Sequence, residues 1–171
     1  MRESNTQRKM ARLSSHMTWI LLLVMLTYGF NSYLEGKRNP NGALVTLEEG
    51  TGSVSLRADR RGQYHAPGRI NGVSVGLILD TGATYVSLPE ALADQLNLPI
   101  EGKGFAQTAN GTIAVKMTTL ESVQIGGIKM ERVPAMISAG LEGDVLLGMS
   151  FLKHLELVQS DGKLELRVPK G

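Results

Sequence analysis

The stretch Gly76-Leu77-Ile78-Leu79-Asp80-Thr81-Gly82-Ala83-Thr84 sets a carboxylate at the end of an apolar run. The apolar residues drive a strand into a core, so Asp80 is expected where that strand emerges. Gly82 lets the backbone turn tightly, and Thr81 and Thr84 bring hydroxyls close. Partial burial disfavours the charged carboxylate while nearby donors favour it, a conflict common among groups that move protons. Taken alone, Asp-Thr-Gly is also an ordinary turn in which Asp accepts from backbone donors. Other chemistry is poorly provided for. With no cysteine, thiol nucleophiles, disulfides and Cys-ligated zinc are excluded. His16, His65 and His154 lie far apart without metal-ligand spacing, so neither a metal nor another cofactor is expected. His65 and His154 read as surface or helix-end residues. A net charge of +2 without a basic, aromatic-interleaved stripe argues against nucleic acid.

The elements that must position Asp80 read as short strands joined by tight turns, and the 20 glycines spread along the chain suit that pattern. Asn71-Gly72 divides the runs 64–70 and 73–80, and Asn110-Gly111 divides 104–109 from 112–125. Both dipeptides accept the positive φ of a hairpin turn. Gly126-Gly127 separates the second run from 128–137. A helix is expected with Pro89 in its first turn and with Leu92, Leu96, Ala91 and Ala93 as its packing face. A second short helix is expected over 149–155, and alternating Leu164, Leu166 and Val168 mark a closing strand. Met117, Met130 and Met136 read as core filler. The expectation is an all-β domain over residues 62–171 with one or two short helices. Residues 35–61 read as a linker with short strands over 43–47 and 53–58. Residues 43–61 fit a spacer, an added strand or a peptide that blocks the cleft.

Two features beyond Asp80 narrow its reading. Gly143-Asp144-Val145-Leu146-Leu147-Gly148 is a second buried-strand pattern ending in Gly, and the hairpin tip Thr108-Ala109-Asn110-Gly111-Thr112 lies between the two. In this order they resemble the retropepsin-like (clan AA) aspartic proteases, most of all the bacterial membrane-anchored type, over roughly 62–168. The resemblance implies a closed β-barrel, the acid-protease half, with Asp80 as catalytic carboxylate. Thr81 would bond across to a partner chain, and Gly82 would let the loop approach the dyad closely. Ala83, Thr84, Ala109, Asn110 and Gly111 would contact substrate, the last three from a flap over the cleft. Phe105 and Tyr85 are the aromatic candidates near that flap. Asp144 reads as a turn or cap that could tune the loop.

Aspartic proteases in general use two carboxylates about 3 Å apart, which cannot both ionise and so share a proton. This chain holds one Asp-Thr-Gly, and Asp94, Asp144 and Asp161 offer no second copy. A homodimer acting on a peptide or protein substrate is therefore expected, with the closing strand, 164–168, as candidate interface. A different reading keeps the fold without catalysis: a membrane-tethered β domain that binds peptides or mediates assembly.

Residues 13–34 carry no Asp, Glu, Lys or Arg, and Trp19, Tyr28 and Tyr33 stand where interfacial aromatics belong. A transmembrane helix over 17–34 is expected after a basic N-terminus of residues 1–16. No small-x-small site follows the apolar core, which favours an uncleaved anchor over a signal peptide. Arg2, Arg8, Lys9 and Arg12 precede it, so the N-terminus is expected in the cytoplasm. In a bacterium the protease domain would then lie in the periplasm, held at the inner membrane.

Overall fold

The computed structural model describes residues 3–38, 41, 52–108 and 111–169, and the expected strand over 43–47 lies outside them. The chain divides into two units, residues 1–38 and 39–171. The first is helix α1 (Glu3–Arg38). Its segment His16–Leu34 has a mean hydropathy of 1.4 over 19 residues and is exposed throughout. At 1.5 Å per residue it is long and apolar enough to cross a bilayer.

The second unit is mostly β. Strands β2 (His65–Ile70) and β3 (Val73–Leu79) form a hairpin. Asn71 and Gly72 at its turn have φ of 49° and 82°, the left-handed pair that matches the twist of the flanking strands. After β3 come β4 (Val86–Pro89), the short helix α2 (Glu90–Gln95), β5 (Gly102–Thr108), β6 (Gly111–Ile125), β7 (Ile128–Ser138) and β8 (Val145–Leu147). The sheet runs β2-β3-β8-β4-β7-β6-β5, and pairing of β2 with β6 closes it into a six-stranded barrel. β5 stays outside the closure as the second arm of a long hairpin with β6. Pro89 precedes the first turn of α2 rather than entering it, because it ends β4. Leu77, Val86, Leu88, Leu120, Val123 and Leu147, each with no accessible surface, fill the barrel.

Helix α3 (Met149–Leu152) leads into β9 (Glu156–Ser160) and β10 (Lys163–Arg167). The turn between these strands, Asp161-Gly162, again takes φ of 49° and 71°. β1 (Ser53–Arg57) pairs with β10 on its other side, giving a separate sheet β1-β10-β9. Of the readings open for this segment, residues 53–57 form the added strand: Val54 and Leu56 are buried in the core. One expectation changes: β10 is flanked by the chain's own strands on both sides, so it offers no open edge to a partner.

A fully buried asparagine fastens the start of this unit. Asn41 donates from Nδ2 to the carbonyls of Arg57 (2.9 Å) and His65 (2.7 Å), and its Oδ1 accepts from the Arg57 N–H (2.8 Å). It thus behaves as one residue of an extra strand beside β1. Asn41→Ala would strand these backbone groups, and we expect a loss of about 2–3 kcal/mol, read as a lower urea midpoint at unchanged slope.

His65 is half-buried rather than on the surface, and it stands between two acids. Asp59 Oδ2 lies 3.6 Å from Nε2, and Asp144 Oδ2 lies 3.5 Å from Nδ1. Asp144 packs over Gly76 of β3, where an added Cβ would fall 2.1 Å from its Oδ1. The cluster therefore ties the β1–β2 loop and β2 to the root of β8. Burial pushes the Asp59 carboxyl up, but the backbone N–H groups of Gln63 and Arg61 and the charges of His65 and Arg61 prevail and lower it. A carboxyl lowered by folding stabilises above its ordinary value of 3.8, and that stability is lost as pH falls through the folded value. We expect Asp59→Asn to flatten the fall of stability below pH 3.8, measured as urea midpoint against pH.

Candidate active site

Asp80 sits where β3 leaves the barrel, on a loop that runs through Thr81, Gly82, Ala83, Thr84 and Tyr85 into β4. The Gly82 N–H donates to Asp80 Oδ1 (2.9 Å), and the Ala83 N–H donates to the Asp80 carbonyl (3.2 Å). These bonds make the turn expected of Asp-Thr-Gly. Oδ2 has no hydrogen-bond partner among the described residues, so one oxygen is held and the other is open to a reactant.

The loop is clamped from below. The Asp80 N–H donates to the Leu147 carbonyl of β8 (3.2 Å). The N–H groups of Met149 and Ser150, at the start of α3, donate to the carbonyls of Ala83 (2.8 Å) and Thr84 (2.9 Å). Ser150 Oγ accepts from the Val86 N–H (2.9 Å). Gly148 makes this possible. A Cβ there would lie 2.3 Å from the Tyr85 carbonyl oxygen and 2.7 Å from that of Ala83, closer than real contacts allow. The second glycine-ended motif is thus the seat of the first.

Above the loop lies a cleft of about 630 Å³. Asp80, Gly82, Ala83 and Thr84 line it from the loop, together with Leu146 and Met136. Residues 104–108 of β5 and Val115 and Met117 of β6 cover it from the hairpin. Met117 and Met136, expected as core filler, therefore face the cleft. Phe105, 82% exposed, and Tyr85 both border it, as the aromatic expectation near the flap required. At the hairpin root the Lys116 ammonium bonds to Glu90 of α2. That hydrogen bond and the Glu90 charge raise the Lys116 pKa above its ordinary value.

The candidate residues are not all gathered in the cleft. Thr81 is exposed on the loop and is not among the lining residues. Gly111 closes the hairpin at φ 112°, where the Thr108 hydroxyl donates to its carbonyl (2.8 Å), and it too stands outside the lining. Ala109 and Asn110 lie outside the described residues. Ser150 was missed. A lone buried serine has no sequence signal, and its bond crosses from α3 to β4. Asp144 and His65 were left as single residues because their meeting depends on the parallel pairing of β3 with β8.

Residues 66–154 match the family described as "gag-polyprotein putative aspartyl protease". The structure of a retropepsin-like aspartic protease from Rickettsia conorii is similar to this chain, with a TM-score of 0.54 and 25% identity over 67% of this chain and 89% of that one. A curated relative from Sinorhizobium, "Uncharacterized protein in cobV 5'region", is 29% identical over 153 residues. That match covers 82% of this chain and 66% of the relative, so the chain spans about two thirds of its length. With Asp80 and Gly82 of the Asp-Thr-Gly turn on the floor of a cleft in a barrel of this kind, the matched region makes the chain a member of the gag-polyprotein aspartyl protease family, among the retropepsin-like aspartic proteases.

Proposed function

We propose that this protein is a membrane-anchored aspartic endopeptidase whose catalytic dyad is Asp80 of one subunit and Asp80 of the partner subunit in a homodimer. The observation that carries the reading is the Asp80 loop itself: one carboxylate oxygen held by the Gly82 N–H, the other open, on the floor of a hairpin-covered cleft. One dyad carboxylate takes a proton from a water as its oxygen attacks the scissile carbonyl carbon. The other, protonated, donates to the carbonyl oxygen. The tetrahedral diol then collapses, the C–N bond breaks, and a dyad proton passes to the departing amine. Thr81, exposed at the tip of the loop, is free of the cleft wall and would bond to the partner's loop. Ala83 and Thr84 contact an extended substrate from below, while Ala109, Asn110 and Gly111 close over it with the β5–β6 hairpin and exclude water.

The anchor is the segment His16–Leu34, long and apolar enough to span. The positive charges ahead of it favour a cytoplasmic N-terminus and a periplasmic protease domain at a bacterial inner membrane. The bacterial sources of the similar proteins support that setting.

The test uses the full chain in detergent micelles with an unstructured peptide library between pH 4 and 8. We expect cleavage that rises more than linearly with enzyme concentration and is blocked by a statine-type mimic of the diol. Asp80→Asn should lower it on the order of a thousand-fold or more with an unchanged circular dichroism spectrum. Cleavage that survives Asp80→Asn would remove Asp80 as its source and contradict the proposal, and a folded dimer that cleaves nothing would support a peptide-binding β domain.

A further inference from the structure

Helix α1 carries a second pattern besides its apolar length. Met17, Ile20, Val24, Thr27, Asn31 and Leu34 follow one another at alternating steps of three and four residues. That spacing is the 3.5-residue repeat of a helix that supercoils with another. Met17, Val24 and Asn31 take its a positions, and Ile20, Thr27 and Leu34 its d positions. All six side chains are exposed, and Ile20, Val24, Thr27 and Asn31 share one depression of the helix surface. The opposite face, centred on Leu22 and Gly29, is built differently. Its glycine has Met25 and Tyr33 four residues to either side, so the pair of small residues that lets membrane helices pack closely is missing there.

Asn31 decides what covers this seam. The segment His16–Leu34 is centred on Met25, and Asn31 lies about 9 Å beyond that centre at 1.5 Å per residue. The hydrocarbon extends about 15 Å to either side, so the amide stands inside it. Thr27 donates its hydroxyl to the Leu23 carbonyl (2.7 Å). The Asn31 amide, by contrast, has no hydrogen-bond partner among the described residues. Lipid tails offer it none, and a polar group left unbonded in hydrocarbon is costly.

We propose that two copies of this chain pair in parallel through α1 inside the membrane, with Val24, Thr27 and Asn31 in the seam. The inference rests on the membrane-anchored, dimeric reading given above and adds the contact that gathers the two chains. Copies of a single-pass chain share one orientation, so their two-fold axis runs along the membrane normal. Each seam residue then meets its own counterpart at the same depth. Asn31 faces the partner subunit's Asn31, and an amide both donates and accepts, so each can return the bond it receives. Asn at one a position, with β-branched Val24 at the a position before it, is the pattern that selects two strands in a single register. Pairing the anchors holds the two protease units at an effective concentration on the order of millimolar for a short tether. The dyad then forms at chain densities where untethered units would stay apart.

The absence of cysteine makes the test direct. In the full chain, reconstituted in phospholipid vesicles, Val24→Cys should form a disulfide-linked dimer under copper–phenanthroline oxidation. Leu22→Cys, on the opposite face, should not, because a disulfide needs its two Cα atoms close together. Asn31→Leu keeps the helix apolar and should raise the dimer dissociation constant about three- to thirty-fold, read by energy transfer between labelled copies as lipid is added. Its cleavage per chain should fall on dilution in lipid and return to the wild-type value at high density. A wild-type dimer in which Val24→Cys links no better than Leu22→Cys, or whose dissociation Asn31→Leu leaves unchanged, overturns the anchor seam and leaves the shared dyad standing. Linked, folded Val24→Cys copies that cleave nothing support the seam and overturn the protease reading. A wild-type chain that stays monomeric at every density overturns the seam and the shared dyad together.

Discussion

The contact on which the site depends is the approach of Gly148 to the backbone of the Asp80 loop. Carbonyls of Ala83 and Tyr85 lie where any side chain at 148 would begin. Because none is there, α3 can start directly beneath the loop, and its first N–H groups donate to the carbonyls of Ala83 and Thr84. The loop is therefore held by backbone bonds at both ends and in the middle, with little left to side-chain rotamers. A carboxylate proposed to meet a second one across a two-fold axis needs such a seat. The cost is rigid dependence on one residue: a methyl group at 148 would separate helix from loop and release both.

The remaining structure serves that seat from a distance. Parallel pairing of β8 with β3 brings the Leu147 carbonyl to the Asp80 N–H, and closure of the barrel through β2 and β6 fixes both strands. The Asp59–His65–Asp144 cluster braces the root of β8 from outside the barrel. On the far side, β1 and Asn41 cover one edge of the terminal sheet and leave the other exposed.

How much of this was legible follows from the range of each interaction. Asp80-Thr81-Gly82, the Asn71-Gly72 hairpin and the glycine-ended strand at 145–148 are local patterns, and local chemistry decides them. β4 was invisible because Val86-Ser87-Leu88-Pro89 is buried along its whole length, so it shows no alternation and ends in a residue that suggests a helix start. β9 was missed for a different reason: Glu156-Leu157-Val158-Gln159-Ser160 is short and mostly exposed, and only its turn at Asp161-Gly162 signals a partner. The closing strand was read correctly as a strand and wrongly as an edge, since the pairing of β1 across more than a hundred residues of chain leaves no trace in either segment. Asn41 and Ser150 belong to the same class. Each is a single polar residue whose importance comes from what the fold brings to it.

The central claim is that two chains contribute one dyad. Mixing wild-type and Asp80→Asn chains at fixed total concentration, under exchange, tests it most directly. If the dyad is shared, only dimers with two wild-type chains cleave, and activity falls with the square of the wild-type fraction, to about a quarter at equal mixing. A linear fall, to about half, would mean that each chain works alone and would contradict the account.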